Sequence, residues 1–422
     1  MDRSPWNRGL RDTPDTLSDP IAPEASQDVY DDLEVLDGAF AGQRGAVFGL
    51  AAKTGVLTVL TLGIYRFWMK TRLRRWYWSS VRVGGVPAEY VGDPLEKLLG
   101  FLIAVAFLAF YIGIVNLLLM FLSFSFFEDS FVAYLLSFAG VVPLWFYARY
   151  RARRYVLGRT RWRGIRFGLD QGAWGYAGRA LLHWGLTILS LGLLWPRMTF
   201  LLEKYKTDRT WFGNTPLEQD GRWTLLYPAT KHVAIALVIG AVAAVLLVND
   251  NIWGITLACI ATCWLGYGVV FYRVRCWEIL TNHKRAGDIV LRATPRPGRV
   301  FWIYVLGYGL SGFVASVLLV PLVIVGLAFV GGVDALANGQ LEQVSDWATW
   351  MLTLISVGFY FAVFLAWGAM THAFVTMPLW RHYAETLTVI HPGSLDRIAQ
   401  RDRDAFAEAE GFAEALDLGG AI

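Results

Sequence analysis

Three ionisable side chains lie inside apolar segments of the sequence, where they could do chemistry. Lys53 and His183 occupy two short apolar segments, and His372 lies late in the last long one. Ionisable residues at membrane depth are costly, so they commonly relay protons or bind ligands. We predict that these three form a candidate intramembrane polar site. Structural roles are the alternative: Lys53 can extend to the interface, His372 stands near water, and His183 can be hydrogen-bonded inside the protein.

The sequence contains no motif typical of a metal site or of an enzyme active site. Cys259 and Cys263 lie four residues apart in an apolar segment, where we expect them to pack as small apolar side chains. The sequence contains no CxxC pair or Cys/His cluster of the kind that binds zinc. It also contains no phosphate-binding glycine loop, GxSxG or HExxH motif. We therefore predict no enzymatic activity, no metal site and no cofactor.

Composition places the chain in a membrane. Hydrophobic residues make up 55% of its 422 residues, and charged residues make up 17%, below the ~25% typical of soluble domains. About 20 apolar residues suffice to cross the hydrocarbon core as a helix. Six segments meet this requirement: 98–122, 130–148, 232–248, 252–272, 300–330 and 347–374.

The distribution of Lys and Arg predicts the topology. The links 123–129, 249–251 and 331–346 contain neither residue, whereas every other connecting stretch is basic. Cytoplasmic loops carry the excess of positive charge. We therefore predict a multi-pass protein of the bacterial inner membrane, with three helical hairpins and both termini in the cytoplasm.

An internal repeat relates residues 57–89 to residues 186–218, with ten of the 33 aligned positions identical. Each copy contains an apolar segment, a basic and aromatic stretch, and a short strand-like piece. Both flanks of each apolar segment (residues 47–68 and 180–196) are expected on the cytoplasmic side. We therefore predict that each segment re-enters or lies in the interface, turning at Gly63 and at Gly192 because glycine accepts a positive φ. The alternative is two ordinary spans and eight crossing helices.

These elements predict an all-α polytopic membrane fold. It would contain about six transmembrane helices in three hairpins, two short re-entrant or interfacial segments, and small cytoplasmic β-hairpins turning on glycine. Residues 1–37 read as an acidic disordered arm. Residues 38–392 form the membrane domain, and residues 393–422 form an acidic tail.

One motif resembles a known family. Thr61-Leu62-Gly63-Ile64-Tyr65 followed by Trp68, with Phe40-Ala41-Gly42 upstream, is similar to the signature of the uncharacterised bacterial inner-membrane proteins typified by YjgN. The second copy departs from it, with Ser190-Leu191-Gly192-Leu193-Leu194 and Arg197 in place of the tryptophan. The resemblance runs from about Phe40 to Val389. It implies a multi-pass inner-membrane protein and no particular reaction.

The basic stretches beside the apolar segments suggest an anionic partner. Interfacial arginines attract anionic lipid by about 1 kcal/mol each, and neighbouring Trp and Tyr residues suit the membrane interface. We favour lipid over nucleic acid as that partner. The arginines expected to contact lipid are Arg72, Arg74, Arg75, Arg151, Arg153 and Arg154.

Two functions follow from these observations. The first is a transporter or channel-like protein, with a site between the two repeated apolar segments. The second is a non-transporting scaffold or assembly factor that binds anionic lipid, or a protein partner, through its basic cytoplasmic face. The long spans contain no acidic residue, which weakens the case for cation-coupled transport. The two unusual segments favour transport.

Overall fold

The computed structural model describes residues 35–110, 113–114, 117–127, 130–329 and 346–401. The acidic arm up to residue 34 and the tail from residue 402 lie outside the described residues. So do residues 128–129 and nearly all of the predicted link 331–346.

Ten short strands form a closed antiparallel barrel in the order β1-β10-β9-β8-β7-β6-β5-β4-β3-β2. The first and last described strands pair with each other, so the barrel brings residues 35–37 next to residues 388–390. The strands are β1 (Val35–Phe40), β2 (Val81–Val83), β3 (Val86–Tyr90), β4 (Thr160–Trp162), β5 (Ile165–Leu169), β6 (Thr210–Phe212), β7 (Thr215–Gln219), β8 (Lys284–Ala286), β9 (Ile289–Ala293) and β10 (Leu387–Ile390).

Alternation of side chains explains why these segments form a barrel. In β5, Ile165 and Phe167 pack in the apolar interior while Arg166 lies between them on the other face. Tight glycine turns connect the paired strands. Gly84 and Gly85 both have positive φ, as a two-residue hairpin loop requires.

Helices occupy the stretches between the strand pairs. They are α1 (Arg44–Leu60), α2 (Arg66–Ser80), α3 (Pro94–Phe110), α4 (Leu117–Phe127), α5 (Ser130–Gly158), α6 (Ala173–Leu189), α7 (Trp195–Thr207), α8 (Lys231–Val248), α9 (Trp253–Asn282), α10 (Pro297–Phe329), α11 (Asp346–Thr371) and α12 (Met377–Glu385). Two 3-10 helices span Trp223–Thr230 and Pro392–Arg397, and a π-helical turn, His372–Thr376, joins α11 to α12.

The described helices α1–α12 all lie beyond one end of the barrel. Each helical section starts after one strand and returns to the start of the strand paired with it, as the pairing of Phe40 with Val81 and of Gln219 with Lys284 shows. Five helical units result: α1–α2, α3–α5, α6–α7, α8–α9 and α10–α12. We call this the helix end of the barrel, and the opposite end, with the glycine turns, the turn end.

One hydrogen bond recurs at the helix end. The residue after each outgoing strand donates its backbone N–H to the carbonyl just before the neighbouring incoming strand. The five bonds, at 2.8–3.0 Å, are Ala41 to Ser80, Val91 to Arg159, Asp170 to Arg209, Asp220 to His283 and Thr294 to Thr386. The five units therefore join the barrel in the same way.

The stretches 57–89 and 186–218 have the same succession of elements. In each, a 17-residue helix, α1 or α6, is followed by a turn in which a leucine and a glycine have positive φ. These pairs are Leu62-Gly63 and Leu191-Gly192. Each glycine N–H bonds to the threonine carbonyl five residues earlier, at 2.7 and 2.8 Å. The chain then returns through α2 or α7 to the barrel, so each pair is a helical hairpin.

The all-α fold predicted from the sequence is wrong, because the closed barrel organises the chain. The predicted glycine-turn hairpins pair edge to edge, and β1 and β10 complete the ring. Among the described residues, four helices rather than six are long and apolar enough to cross a membrane: Trp223–Val248, Trp253–Asn282, Pro297–Pro321 and Thr353–Glu385. Strands of three to six residues carry little local signal, so pattern alone could not show that they close.

The predicted domain limits also shift. Val35, Leu36 and Asp37, assigned to the disordered arm, belong to β1. Residues 392–401, which reach into the predicted tail, cross the turn end of the barrel. There Leu395 packs in the apolar interior, and Asn214 donates its N–H to the carbonyl of Ala399 at 2.9 Å.

The turn between α6 and α7 predicts a specific effect of an added methyl group. Gly192 has φ of +88° with open space around it, so Gly192→Ala should cost about 1 kcal/mol through backbone strain alone. Gly185 lies within α6, also in open space, and Gly185→Ala should be neutral or stabilising. Thermal unfolding of both variants in detergent checks this. Equal midpoints would contradict the assigned turn.

Candidate functional site

A pocket of about 440 Å³ opens where α5 ends and α6 begins. Its walls are the last turns of α5 and residues 171–175, next to the helix end of the barrel. The lining residues are Tyr147, Tyr150, Arg151, Arg154, Gln171, Gly172, Ala173, Trp174 and Gly175. We call this the junction pocket.

Hydrogen bonds fix the walls of the junction pocket. The buried Arg154 donates from Nε to the carbonyl of Leu169 at 3.1 Å, which ties α5 to the end of β5. Tyr150 donates to the carbonyl of Asp170 at 2.7 Å, and Tyr205 donates to the carbonyl of Gly172 at 2.9 Å. Burial raises the pKa of the Tyr150 hydroxyl, so it stays a neutral donor.

The pocket presents positive charge beside aromatic rings. Arg151 donates to the hydroxyl of Tyr147 at 3.0 Å and stacks over that ring, so it is held beside the opening. The first turn of α6, which follows Gly172, points backbone N–H groups outward, and these favour an anion. Trp174 is 62% exposed. The arrangement suits an anionic group at an interface between water and lipid.

The other predicted lipid contacts divide into two groups. Arg74 is only 3% exposed and stacks on Tyr90, and Arg75 donates to the carbonyl of Gly92 at 2.9 Å. Arg153 pairs with Glu203 at 3.5 Å. Arg72 is exposed and lies over the ring of Tyr65. Arg151 and Arg154 thus lie together at the pocket. The side chains of Arg74, Arg75 and Arg153 contact other parts of the protein instead.

The bonds made by Arg75 and Arg154 belong to a contact that recurs around the barrel. Six residues before an incoming strand, four of the five units carry Arg or Lys, and it donates to a carbonyl near the end of an outgoing strand. The four bonds join Arg75 to Gly92, Arg154 to Leu169, Lys204 to Gln219 and Arg381 to Gly42, at 2.6–3.1 Å. This role was not predicted from the sequence. The constant spacing of six residues between the cation and the incoming strand could have indicated it.

Glu203 forms an ionic cluster that sequence analysis also missed. Its carboxylate, on α7, lies 2.6 Å from Lys206 Nζ, 2.9 Å from Lys284 Nζ on β8 and 3.5 Å from Arg153 on α5. Burial alone would raise the pKa of Glu203, but Lys206, Lys284 and Arg153 outweigh it and hold this pKa well below its usual range. The cluster connects two helical units to the barrel.

The predicted polar residues of the apolar segments lie in three different places. Lys53 is exposed on α1. His183, on α6, is buried and lies 3.4 Å from Arg197. His372 opens the π-helical turn, where its Nδ1 lies 3.2 Å from the Tyr77 hydroxyl. The unit of Lys53 packs against that of His372, whereas α3–α5 separate it from the unit of His183.

No group of three or more His, Cys, Asp or Glu residues that could hold a metal occurs among the described residues. Cys259 and Cys263 are exposed on α9, and Cys276 is buried.

The chain matches one protein family over residues 35–415. That family is described as a bacterial protein of unknown function, DUF898. The chain belongs to this family. The membership confirms the resemblance drawn from Thr61–Trp68 to an uncharacterised bacterial family. No curated protein and no solved structure matches the chain.

The Glu203 cluster predicts a pH-dependent stability. Glu203→Gln leaves three cations without their carboxylate, which should cost about 3–5 kcal/mol at neutral pH. Because the pKa of Glu203 is lower in the folded protein, its ionised carboxylate stabilises the fold fully at pH values above its unfolded pKa of about 4.3. That stabilisation is lost as pH falls through the folded pKa. The gap in unfolding temperature between wild type and variant should therefore be wide at pH 7, begin to shrink below about pH 4, and close as pH falls through the depressed folded pKa.

Glu218→Gln is the matched control, because Glu218 pairs with Arg285 at the surface of the barrel. Its effect should stay below about 1 kcal/mol. Equal unfolding temperatures for Glu203→Gln and wild type at pH 7 would refute the role of the cluster.

Proposed function

We propose that this protein is a multi-pass scaffold of the bacterial inner membrane that binds anionic lipid at the junction pocket. Four described helices are long and apolar enough to cross a bilayer, and the family is bacterial. The helical units leave the barrel from one end, so the barrel and its turn end lie together on one side of the membrane. The basic stretches at the helix end favour the cytoplasmic side.

The two short hairpins, α1–α2 and α6–α7, enter the bilayer without crossing it in this proposal. A 17-residue helix is about 25 Å long, against ~40–45 Å for a bilayer with its headgroups. Leu62 and Leu191, at the tips, are each 94% exposed. Such tips gain from contact with lipid, and Gly63 and Gly192 supply the turns.

The junction pocket is the observation that carries the lipid-binding proposal. It lies at the helix end, where membrane-spanning helices meet the barrel, and it combines Arg151 and Arg154 with Trp174 and the start of α6. Guanidinium groups pair with phosphate, and tryptophan favours the interface. An anionic phospholipid headgroup fits this chemistry.

The geometry supports a scaffold better than a transporter with a site between the repeated segments. Lys53 and His183 lie on units that are not neighbours around the barrel, since α3–α5 lie between them on one side and α8–α12 on the other. Catalysis is not part of this proposal. A protein partner on the basic cytoplasmic face stays a prediction.

Arg151→Gln tests the junction pocket. Removing one interfacial charge, worth about 1 kcal/mol, should weaken binding of phosphatidylglycerol roughly fivefold and reduce the sensitivity of binding to salt. Binding is measured by native mass spectrometry of the full chain titrated with phosphatidylglycerol in detergent. Arg153 and Arg154 are unsuitable targets because their side chains hold the fold.

Arg163→Gln is the control, since Arg163 is an exposed arginine in the β4–β5 turn at the turn end. Its affinity for the lipid should match that of wild type. If Arg151→Gln bound phosphatidylglycerol as wild type does, or if both variants lost affinity equally, the pocket would not be the lipid site.

A further inference from the structure

The interior of the barrel contains a cavity of about 250 Å³. Its wall is formed by side chains from several strands, among them Val83, Phe167, Leu217, Leu291 and Val389. The surface that these residues turn to the cavity is entirely apolar. We call this space the lumen.

Strand number and residue size together explain why the lumen stays open. Side chains just fill the interior of a barrel of about eight strands, and wider barrels can enclose a ligand. This barrel has ten strands, and two of its inward-facing positions carry alanine, Ala88 and Ala286. Larger side chains at these two positions would occupy the free volume.

The segment that follows β10 closes the lumen at the turn end. Leu395 is a lining residue and packs in the apolar interior. Hydrogen bonds hold this segment across the opening: Ala399 donates to Oδ1 of Asn214 at 3.2 Å, and Arg166 donates its N–H to Oε1 of Gln400 at 2.9 Å. The lumen therefore has a fixed floor.

At the other end, the lumen reaches the first residues of the incoming strands. Val81, Lys284 and Leu387 all line it, and each directly follows a helical unit. The free space thus extends toward the helices and, in the orientation proposed above, toward the membrane.

An apolar wall selects the occupant. A water molecule occupies about 30 Å³ and needs two to four polar partners, which this wall does not present. Apolar cavities of about 150 Å³ stay dry and bind apolar molecules, and the lumen is larger. Strands of five residues span about 16 Å, so the space suits a narrow, linear molecule.

We propose that the lumen binds one unbranched hydrocarbon chain, which enters from the helix end. The chain belongs to a free fatty acid or to a membrane phospholipid, and both sources present the same methylene chemistry. This site is separate from the junction pocket, and it does not depend on Arg151.

Photocrosslinking tests the proposal in the full chain in detergent. Stearic acid with a diazirine near the end of its chain is one probe, and phosphatidylglycerol with the same group in one acyl chain is the other. Crosslinked peptides are mapped by mass spectrometry. We expect label on residues that line the lumen with at least one probe, and the probe that labels them identifies the source of the chain.

Ala88→Leu combined with Ala286→Leu fills the lumen and should abolish this label, while label on the apolar helices persists as an internal standard. The control is Ala39→Leu, because Ala39 is exposed on β1; it should leave the label unchanged. Label confined to helices in wild type with both probes would overturn the proposal even if the filled variant did not fold. Equal barrel labelling in the filled variant and wild type would also overturn it.

Discussion

Closure of the barrel is the constraint on which the rest of this structure depends. β1 pairs with β10, so these two strands complete the ring and leave the barrel no free sheet edge. Each helical unit must then start and finish on neighbouring strands. All five units consequently lie beyond the same end of the barrel, whether they are long enough to cross a bilayer or not.

Barrel closure gives several of the basic residues a structural role. Positive charge beside apolar segments first suggests attraction to lipid, yet Arg75, Arg154, Lys204 and Arg381 bond backbone carbonyls where helices meet strands. Such bonds matter at these corners, because a backbone carbonyl that is shielded from water costs free energy unless it has a hydrogen-bond partner. Charge that the sequence pattern assigns to the cytoplasmic side therefore also joins helices to the barrel, and Arg151 and Trp174 line the junction pocket.

Sequence reasoning could reach the elements with strong local signals. Apolar length indicated helices that are long enough to cross a membrane. Gly63 and Gly192, predicted as turn residues, stand with positive φ between the paired short helices, and their re-entry into a bilayer stays a prediction. Closure could not be seen, because β2 has three residues and the part of β1 that pairs with β10 was assigned to a disordered arm. Nor could the Glu203 cluster, since Arg153, Glu203 and Lys284 meet only after the barrel forms.

The most direct test of the account is the side of the membrane on which each end of the molecule lies. Single cysteines replace Asn214 in a barrel turn, Leu191 at a short hairpin tip and Asn249 between α8 and α9, in a variant without the three native cysteines. An impermeant thiol reagent added from the periplasmic side should label only the cysteine at position 249. Labelling at position 214 from that side would contradict the common orientation of barrel and helices. Labelling at position 191 would show that α6 crosses the membrane.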